Sequence, residues 1–143
     1  MGKPFKALTI ETILAIHSAA MKANGGLFSG DETDLINKGS LEYIIDASLF
    51  PVYGQHLYPT FFDKTAALVQ AIICTHIFRD GNKRTGLLCC LALCKINGYL
   101  LDIDKESEDF FVRIAAENLS WQEVSAWLKK HVRINRNHSS WIN

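Results

Sequence analysis

The chain has 143 residues, of which 48% are hydrophobic and 21% charged, values that are ordinary for a single globular domain. Its 15 Lys and Arg residues balance 15 Asp and Glu residues, so the chain carries no excess positive charge with which to neutralise the phosphates of a nucleic acid. This balance excludes a dedicated DNA- or RNA-binding protein, although a local basic cluster could still bind one nucleotide.

Neither a signal peptide nor a membrane span is recognisable. The N-terminus from Met1 to Lys6 lacks a long apolar stretch. The longest apolar run, Leu87–Cys94, is far shorter than the about 20 residues that a bilayer requires. We therefore expect a soluble, cytoplasmic protein with no membrane partner. The four cysteines lie in apolar helical patterns and are expected to be buried free thiols.

Apolar residues recur at helical spacing in six segments, which predicts an all-α fold. We expect one domain over residues 1–143, a compact bundle of about six helices with its core at about 8–132 and a flexible tail at 133–143. His17 lies on the apolar stripe of the first helix and is expected to be a structural histidine. The predicted helices cover about 9–22, 41–49, 60–76, 82–97 and 107–117, and a sixth begins at 120.

Capping residues support several of these boundaries. Side chains suited to the N-cap position precede four of the predicted helices: Thr9 for the first, Ser40 for the second, Thr60 with Asp63 for the third, and Ser120 with Glu123 for the sixth.

The second helix is expected to bury one face, formed by Leu41, Ile44, Ile45 and Leu49. The segment 52–58 follows it and mixes aromatic residues with glycine and histidine. That composition predicts an exposed hairpin or flap between the second and third helices.

One charged segment, between the third and fourth predicted helices, carries most of the recognisable chemistry. Its N-terminal half places His76 beside Phe78 and Asp80. Histidine titrates near neutrality and can accept a proton from an attacking hydroxyl. Phe78 is expected to point inward and to hold the loop in shape. A carboxylate such as that of Asp80 suits magnesium, which takes its other ligands from phosphate and water.

The second half of the segment, Gly81 to Arg84, opens the fourth helix. The first N–H groups of a helix have no internal partner and, with the helix dipole, bind anions. Gly81 permits a close backbone approach, while Lys83 and Arg84 add positive charge. The residues alone therefore indicate phosphoryl or nucleotidyl transfer. The alternative is an ordinary solvated turn between two helices.

The segment resembles the H-x-F-x-D-x-N-K-R signature of the Doc (death-on-curing) branch of the Fic family. It reads His76-Ile77-Phe78-Arg79-Asp80-Gly81-Asn82-Lys83-Arg84-Thr85. Further similarity lies at Gly25-Gly26, at Leu57-Tyr58-Pro59-Thr60 and at Asn97-Gly98-Tyr99, so that it spans about residues 8–132. The resemblance implies the helical Fic/Doc fold and a transferase that uses ATP and Mg²⁺ to modify a hydroxyl group on a protein.

The resemblance also implies a role for each matching residue. The implied roles are general base for His76, catalytic phosphate clamp for Arg84 with Lys83 beside it, magnesium ligand for Asp80, loop anchor for Phe78, and phosphate or nucleotide binding for Gly81, Asn82, Lys83, Arg84 and Thr85.

Position 83 bears on the reaction type. The adenylylating Fic branch has a small residue there and usually a proline at the position of Ile77, whereas Lys83 resembles the Doc branch, which presents the γ-phosphate. The resemblance therefore implies Ser/Thr phosphorylation of a protein. Gly81 is closer to the adenylylating pattern, so adenylylation is the alternative. A non-catalytic helical binding module is the third reading.

Fic proteins that inhibit themselves carry the pattern [Ser/Thr]-x-x-x-Glu-[Gly/Asn]. Glu117-Asn118 matches its end, but Arg113 stands where Ser or Thr is required. The resemblance therefore implies an external inhibitor, a small antitoxin that docks a helix in a groove of a toxin. The target that it implies is elongation factor Tu, whose modification would arrest translation. The sequence leaves the oligomeric state open.

Overall fold

Six α-helices and two short strands make up residues 4–139, the part of the chain that the computed structural model describes. The helices are α1 Ile10–Asn24, α2 Lys38–Leu49, α3 Phe61–Cys74, α4 Asn82–Ile96, α5 Lys105–Glu117 and α6 Trp121–His131. The strands β1 Tyr99–Leu100 and β2 Arg133–Ile134 pair antiparallel, and Glu32–Asp34 form a single 3₁₀ turn. The all-α prediction is confirmed. No helix within residues 4–139 is long and apolar enough to cross a membrane.

Helix α3 lies at the centre, as its apolar circumference predicts. It begins with the expected capping box, in which Thr60 Oγ1 accepts from the Asp63 N–H at 3.1 Å and Asp63 Oδ2 accepts from the Thr60 N–H at 3.4 Å. The other carboxylate oxygen of Asp63 accepts a buried hydrogen bond of 2.7 Å from Ser125 on α6. The cap therefore also fixes α6 against α3.

Two clusters of buried apolar residues each include residues of α3 and of α4. One adds α5 and α6, with Phe110, Ile114 and Leu128 buried. The other adds α1 and α2 and includes Ile77 and Phe78 from the turn between α3 and α4. The turn is thus attached to a core on its inner side.

Helices α3 and α4 approach closely where they leave the turn. A Cβ at Gly86 would lie 2.6 Å from Ile73 Cγ1, a separation that packed carbon atoms do not reach. Only glycine permits this approach without a shift of one helix. As a result the end of α3 and the start of α4 stand side by side, on either side of the charged segment.

The cysteines are free, as predicted. Cys89, Cys90 and Cys94 are buried, and Cys74 is partly buried. Burial raises the pKa of the Cys89 thiol to about 12, and the hydrogen bond with Cys94 together with burial raises the pKa of the Cys90 thiol. The Cys89 and Cys90 thiols are therefore protonated at neutral pH and serve as apolar core residues.

Helix α2 ends at Leu49 as predicted, but its start and the burial of its last residue differ from the prediction. It begins at Lys38 after Asn37, so Ser40 lies inside the helix and is not its N-cap. Leu49 is 39% exposed, whereas Ala47 and Ser48 are buried. Helix α2 ends at Leu49 and the next residue, Phe50, is exposed, so the last helical residue lies at the edge of the core. Leu41 is fully buried as expected.

The segment after α2 forms the predicted exposed hairpin. Val52 and Gln55 exchange two backbone hydrogen bonds of 2.8 and 3.0 Å, and Tyr53 at its tip is fully exposed.

The predicted flexible tail begins instead with strand β2. Arg133 and Ile134 pair with Leu100 and Tyr99, because a short strand follows α4 and offers free backbone groups at that edge. Residues 140–143 of the predicted tail lie outside the described part of the chain.

Candidate functional site

The charged segment forms a tight turn between α3 and α4. Helix α3 ends at Cys74, two residues before the predicted end. His76 has a φ of +52°, a left-handed conformation that is uncommon outside glycine and several times more frequent in His, Asn and Asp than in other residues. Its side chain is exposed, whereas Ile77 and Phe78 immediately after it are fully buried.

A distant loop holds His76 in this conformation. The side chain of Asn37 donates a 2.9 Å hydrogen bond to the carbonyl of Thr75, and the N–H of Ile36 donates one of 2.9 Å to the carbonyl of Ile77. The peptide group before His76 and the peptide group after Ile77 are therefore both fixed from outside the turn. No local pattern assigns Asn37 this contact, because 38 residues separate it from Thr75.

Phe78 occupies the position expected of an anchor. Its ring is fully buried and lies parallel to the imidazole of His17, with centroids 3.9 Å apart and an angle of 4°. His17 in turn donates a hydrogen bond to the carbonyl of Asp80, with 2.8 Å between Nε2 and the oxygen. Helix α1 therefore supports the turn from below.

Asn82 closes the turn with its side chain. Its Oδ1 accepts from the Phe78 N–H at 2.9 Å, and its Nδ2 donates to the Phe78 carbonyl at 2.8 Å. Both the oxygen and the nitrogen of the amide group thus help to hold the turn. The backbone N–H of Asn82 has no partner within residues 4–139 and is available to a phosphate.

Gly81 is the N-cap of α4 and has a left-handed φ of +79°. A Cβ at this position would overlap Met21 Sδ, so both the conformation and the space require glycine. Gly81 offers no capping side chain, and the backbone N–H groups of Asn82, Lys83 and Arg84 have no hydrogen-bond partner within residues 4–139. Three donors therefore point out of the positive end of a helix.

Cationic side chains surround this open end. Lys83, Arg84 and Arg79 are exposed, and none of them forms a hydrogen bond or an ion pair within the described residues 4–139. Positive charge near the N-terminus of a helix is unfavourable for the helix itself. An anion bound there would be stabilised by the charges and by the backbone donors together.

Thr85 does not belong to this surface. Its side chain is fully buried, and its backbone N–H donates to the carbonyl of Gly81 at 3.0 Å, as in any first helical turn. The phosphate contact expected of Thr85 is therefore not possible in this structure, because one turn of helix rotates it toward the core.

Asp80 presents its carboxylate at the edge of the turn. Oδ1 accepts from the Gly81 N–H at 2.8 Å, and Oδ2 accepts from the Leu27 N–H at 3.1 Å. Each oxygen keeps a further lone pair, and the group lines the same cleft as the cations. Within residues 4–139 no cluster of three or more metal-ligating side chains exists. The arrangement fits a cation such as Mg²⁺, which can use one carboxylate and complete its shell with phosphate oxygens and water.

A cleft of about 640 Å³ joins these groups, a size typical of small-molecule sites. Its polar wall is the turn, with His76, Arg79, Asp80, Lys83 and Arg84. The opposite wall comes from helix α5 and carries Glu108, Phe111, Val112 and Ala115. No sequence pattern indicated this second wall, since more than 20 residues lie between the two walls and only the packing of α5 brings them together.

Comparison with known proteins agrees with this geometry. The Fic/DOC family model matches residues 7–94, more than half of the chain. A protein named Toxin Doc from Mycolicibacterium smegmatis is 32% identical over 108 residues, which cover 73% of this chain and 82% of the relative. Protein kinase doc of Escherichia phage P1 is 28% identical over 120 residues, which cover 84% of this chain and 90% of the relative. With the signature turn, the helical fold and these matches together, the chain belongs to the Fic/DOC family.

Proposed function

We propose that this protein is a Doc-like toxin that transfers the γ-phosphoryl group of ATP to a Ser or Thr hydroxyl of another protein. The observation that carries the proposal is the open N-terminus of α4. It lies in the same cleft as His76 and the unpaired cations Lys83 and Arg84.

The phosphates of ATP would lie against the polar wall. The backbone N–H groups of Asn82 to Arg84 provide donors that are already oriented, and the planar guanidinium of Arg84 can contact two phosphate oxygens at once. The exposed apolar side chains Val112 and Ala115 on the opposite wall offer a surface for the nucleoside. The cationic wall of the cleft therefore matches the charged phosphates of a nucleotide, and the apolar wall matches the flat faces of its base.

His76 is the candidate general base. Its imidazole is exposed at the cleft and carries no hydrogen bond within residues 4–139, so it is free to accept a proton. In the proposed step the target hydroxyl oxygen bonds to the γ-phosphorus, the bond from that phosphorus to the β-γ bridging oxygen breaks, and ADP leaves. The hydroxyl proton passes to His76. Arg84 and Lys83 stabilise the charge that develops on the phosphoryl oxygens.

Asp80 is the candidate ligand for magnesium. The cation would supply charge neutralisation on the phosphate oxygens when it is bound. The Leu27 and Gly81 N–H groups orient the carboxylate while leaving a lone pair on each oxygen.

Lys83 favours phosphoryl over adenylyl transfer. Its exposed side chain lines the cleft at the first turn of α4, where a small residue would leave room for an α-phosphate. The relative from phage P1 is named a protein kinase, which agrees with this choice.

The partners of this protein follow from the same proposal. The relative from Mycolicibacterium smegmatis is named a toxin. The self-inhibitory pattern is incomplete in this chain because Arg113 stands where Ser or Thr is required, and Arg113 forms an ion pair with Glu117 on the surface of α5. We therefore propose a separate small antitoxin that docks a helix on the toxin. Elongation factor Tu in the cytoplasm is the proposed target.

The proposal is tested with ATP labelled at either the α or the γ position, incubated with Mg²⁺, the purified protein and elongation factor Tu. Transfer of the γ label alone supports phosphorylation, and transfer of the α label shows adenylylation. If neither label is transferred to that factor or to any protein of a cell extract, the proposed enzymatic activity is contradicted. The remaining alternative is then the non-catalytic binding module. The variant Lys83→Gly is expected to lose γ transfer, and unchanged phosphorylation would remove Lys83 from its role.

A further inference from the structure

Helix α1 places one histidine directly beneath the signature turn, although it lies outside the signature itself. We propose that His17 is a positioning residue that holds the Asp80 carboxylate in the orientation needed to bind a metal–nucleotide complex. The inference rests on the proposed function for what Asp80 binds. What His17 does to Asp80 follows from the contacts alone.

His17 reaches the turn in two ways. It is 1% exposed, and its Nε2 lies 2.8 Å from the carbonyl oxygen of Asp80. A carbonyl only accepts, so Nε2 must carry the proton and donate it. The face of the ring stacks on Phe78 at 3.9 Å. The His17 side chain therefore contacts both Phe78, at the buried base of the turn, and the backbone of Asp80, at its exposed rim.

The other ring nitrogen contributes no hydrogen bond. Nδ1 is buried without a hydrogen-bond partner in the part of the chain that the structure describes, and the nearest carboxylate oxygen, on Asp34, is 3.9 Å away. The contribution of His17 is thus reduced to one donated hydrogen bond and one stacked face. If His17 only filled the core, a phenylalanine would serve as well, because it would keep the stacked face and remove an unpaired polar atom.

Holding the Asp80 carbonyl fixes the carboxylate. The carbonyl belongs to the peptide group that also carries the Gly81 N–H, and this N–H donates to Asp80 Oδ1. The remaining oxygen, Oδ2, accepts from Leu27 in the loop after α1. Rotation of the 80–81 peptide would break the first of these bonds and move the carboxylate away from Leu27. The hydrogen bond from His17 opposes that rotation.

Two substitutions separate the two contributions. His17→Phe keeps the stacked ring and removes the donor. His17→Gln removes the ring but can place its amide nitrogen near the position of Nε2, and so restores the donor. Stability to urea follows the packing, whereas the orientation of Asp80 follows the donor.

His131 provides a matched control. Its ring also stacks on an aromatic side chain, Trp127, at 3.9 Å, and its Nδ1 lies 2.8 Å from a backbone carbonyl, that of Trp127. It is located at the end of α6, outside the cleft. His131→Phe therefore makes the same ring replacement away from the turn, and in addition removes the 3.1 Å contact of His131 Nε2 with Glu106.

The first measurement uses no ligand. Hydrogen exchange of the Leu27 N–H, followed by NMR, reports whether the Asp80 carboxylate stays in place. We expect exchange to be at least about tenfold faster in His17→Phe than in the wild type, with the wild-type rate largely restored in His17→Gln and unchanged in His131→Phe. Equal protection in the wild type and in folded His17→Phe would overturn the inference.

The second measurement uses Mn²⁺ as a probe, with a non-hydrolysable ATP analogue, by calorimetry. Loss of the positioning contact is expected to weaken Mn²⁺ binding about 10–100-fold in His17→Phe and much less in His17→Gln. Wild-type Mn²⁺ affinity in His17→Phe would also overturn the inference. Failure of the wild type itself to bind the complex would contradict the proposed function, while the exchange measurement would still decide the role of His17.

Discussion

The N-termini of α4 and α6 are built in opposite ways. Helix α6 begins with Ser120, whose hydroxyl accepts from the Glu123 N–H at 3.2 Å, and Glu123 adds negative charge where the helix dipole is positive. Helix α4 begins with Gly81, has no side-chain cap, and carries two cations in its first turn. Helices α1, α3 and α5 resemble α6 in having a side-chain cap and an acidic first turn.

The two helix starts serve different purposes: the start of α6 stabilises the fold, and the start of α4 is suited to binding an anion. At α6 the Ser120 hydroxyl satisfies the Glu123 N–H, and the Glu123 carboxylate complements the helix dipole. At α4 the first N–H groups and the dipole have no such partners and face a cleft, an arrangement that destabilises the free helix slightly and becomes favourable once an anion is bound. The chain accommodates this because the turn is held from its inner side, by Asn82, Phe78 and His17.

Removal of the base in front of the open end should have the largest effect. His76→Asn keeps a residue that accepts the left-handed conformation but cannot act as the base. We expect the transfer rate to fall about 10²–10⁴-fold, while the urea midpoint stays unchanged because the His76 side chain is exposed. The rate is measured with γ-labelled ATP. Full activity in this variant would remove His76 from the role of general base.

Loss of the hydrogen bonds that hold the inner side of the turn should have the second largest effect. Asn82→Ala removes two hydrogen bonds to the backbone of the buried Phe78. We expect the free energy of unfolding to fall by about 1–3 kcal/mol, measured by urea denaturation. Ser120→Ala is the control at α6, where a loss of about 0.5–2 kcal/mol is expected without any change in ATP binding. An unchanged unfolding free energy in Asn82→Ala would mean that the turn holds its shape without the amide.

Charge reversal at the open end should change stability and binding in opposite directions. Lys83→Glu places an acid in the first turn of α4, as in α6, and is expected to stabilise the free protein by about 0.3–1 kcal/mol at low ionic strength. The same variant should lose the rise in Tm that ATP or pyrophosphate gives the wild type.

Lys95 offers the matched control for this charge change, because it lies in the last turn of the same helix. Lys95→Glu should destabilise the protein, since negative charge is unfavourable at that end of the dipole. A loss of stability in Lys83→Glu, measured in the same buffer, would contradict the dipole argument.

The smallest expected effect concerns pH. Hydrogen bonds from Ser107, first from its backbone N–H, lower the pKa of the Asp104 carboxyl at the N-cap of α5. The folded pKa lies below the unfolded value of about 3.9, so the stabilisation is present above that value and is lost as the pH falls through the folded pKa. Asp104→Asn can still cap the helix but does not titrate.

Urea midpoints of Asp104→Asn and the wild type, compared from pH 6 to pH 2, measure this contribution. The wild type should lose more stability than the variant over the acid range. Parallel curves for the two proteins would show that the cap does not titrate within the transition.

Much of the candidate site was predictable because it is local. His76, Asp80, Lys83 and Arg84 lie within nine residues, so any turn between two helices brings them together. Thr85 was expected to bind phosphate, but its side chain is buried. Which side of the first helical turn faces the core depends on how α4 packs on α3. Asn82 was expected at the anion site, and that its amide also bonds to the backbone of Phe78 was not predicted.

Local sequence patterns were enough to identify the six helices, the side-chain caps of α1, α3 and α6, and the charged turn. Periodicity and capping act over three or four residues, and they are legible without the fold. Tertiary structure alone decided that Asn37 fixes His76, that His17 reaches Asp80, and that α5 supplies the second wall of the cleft. These contacts join residues tens of positions apart, and they depend on how closely α1, α3, α4 and α5 pack.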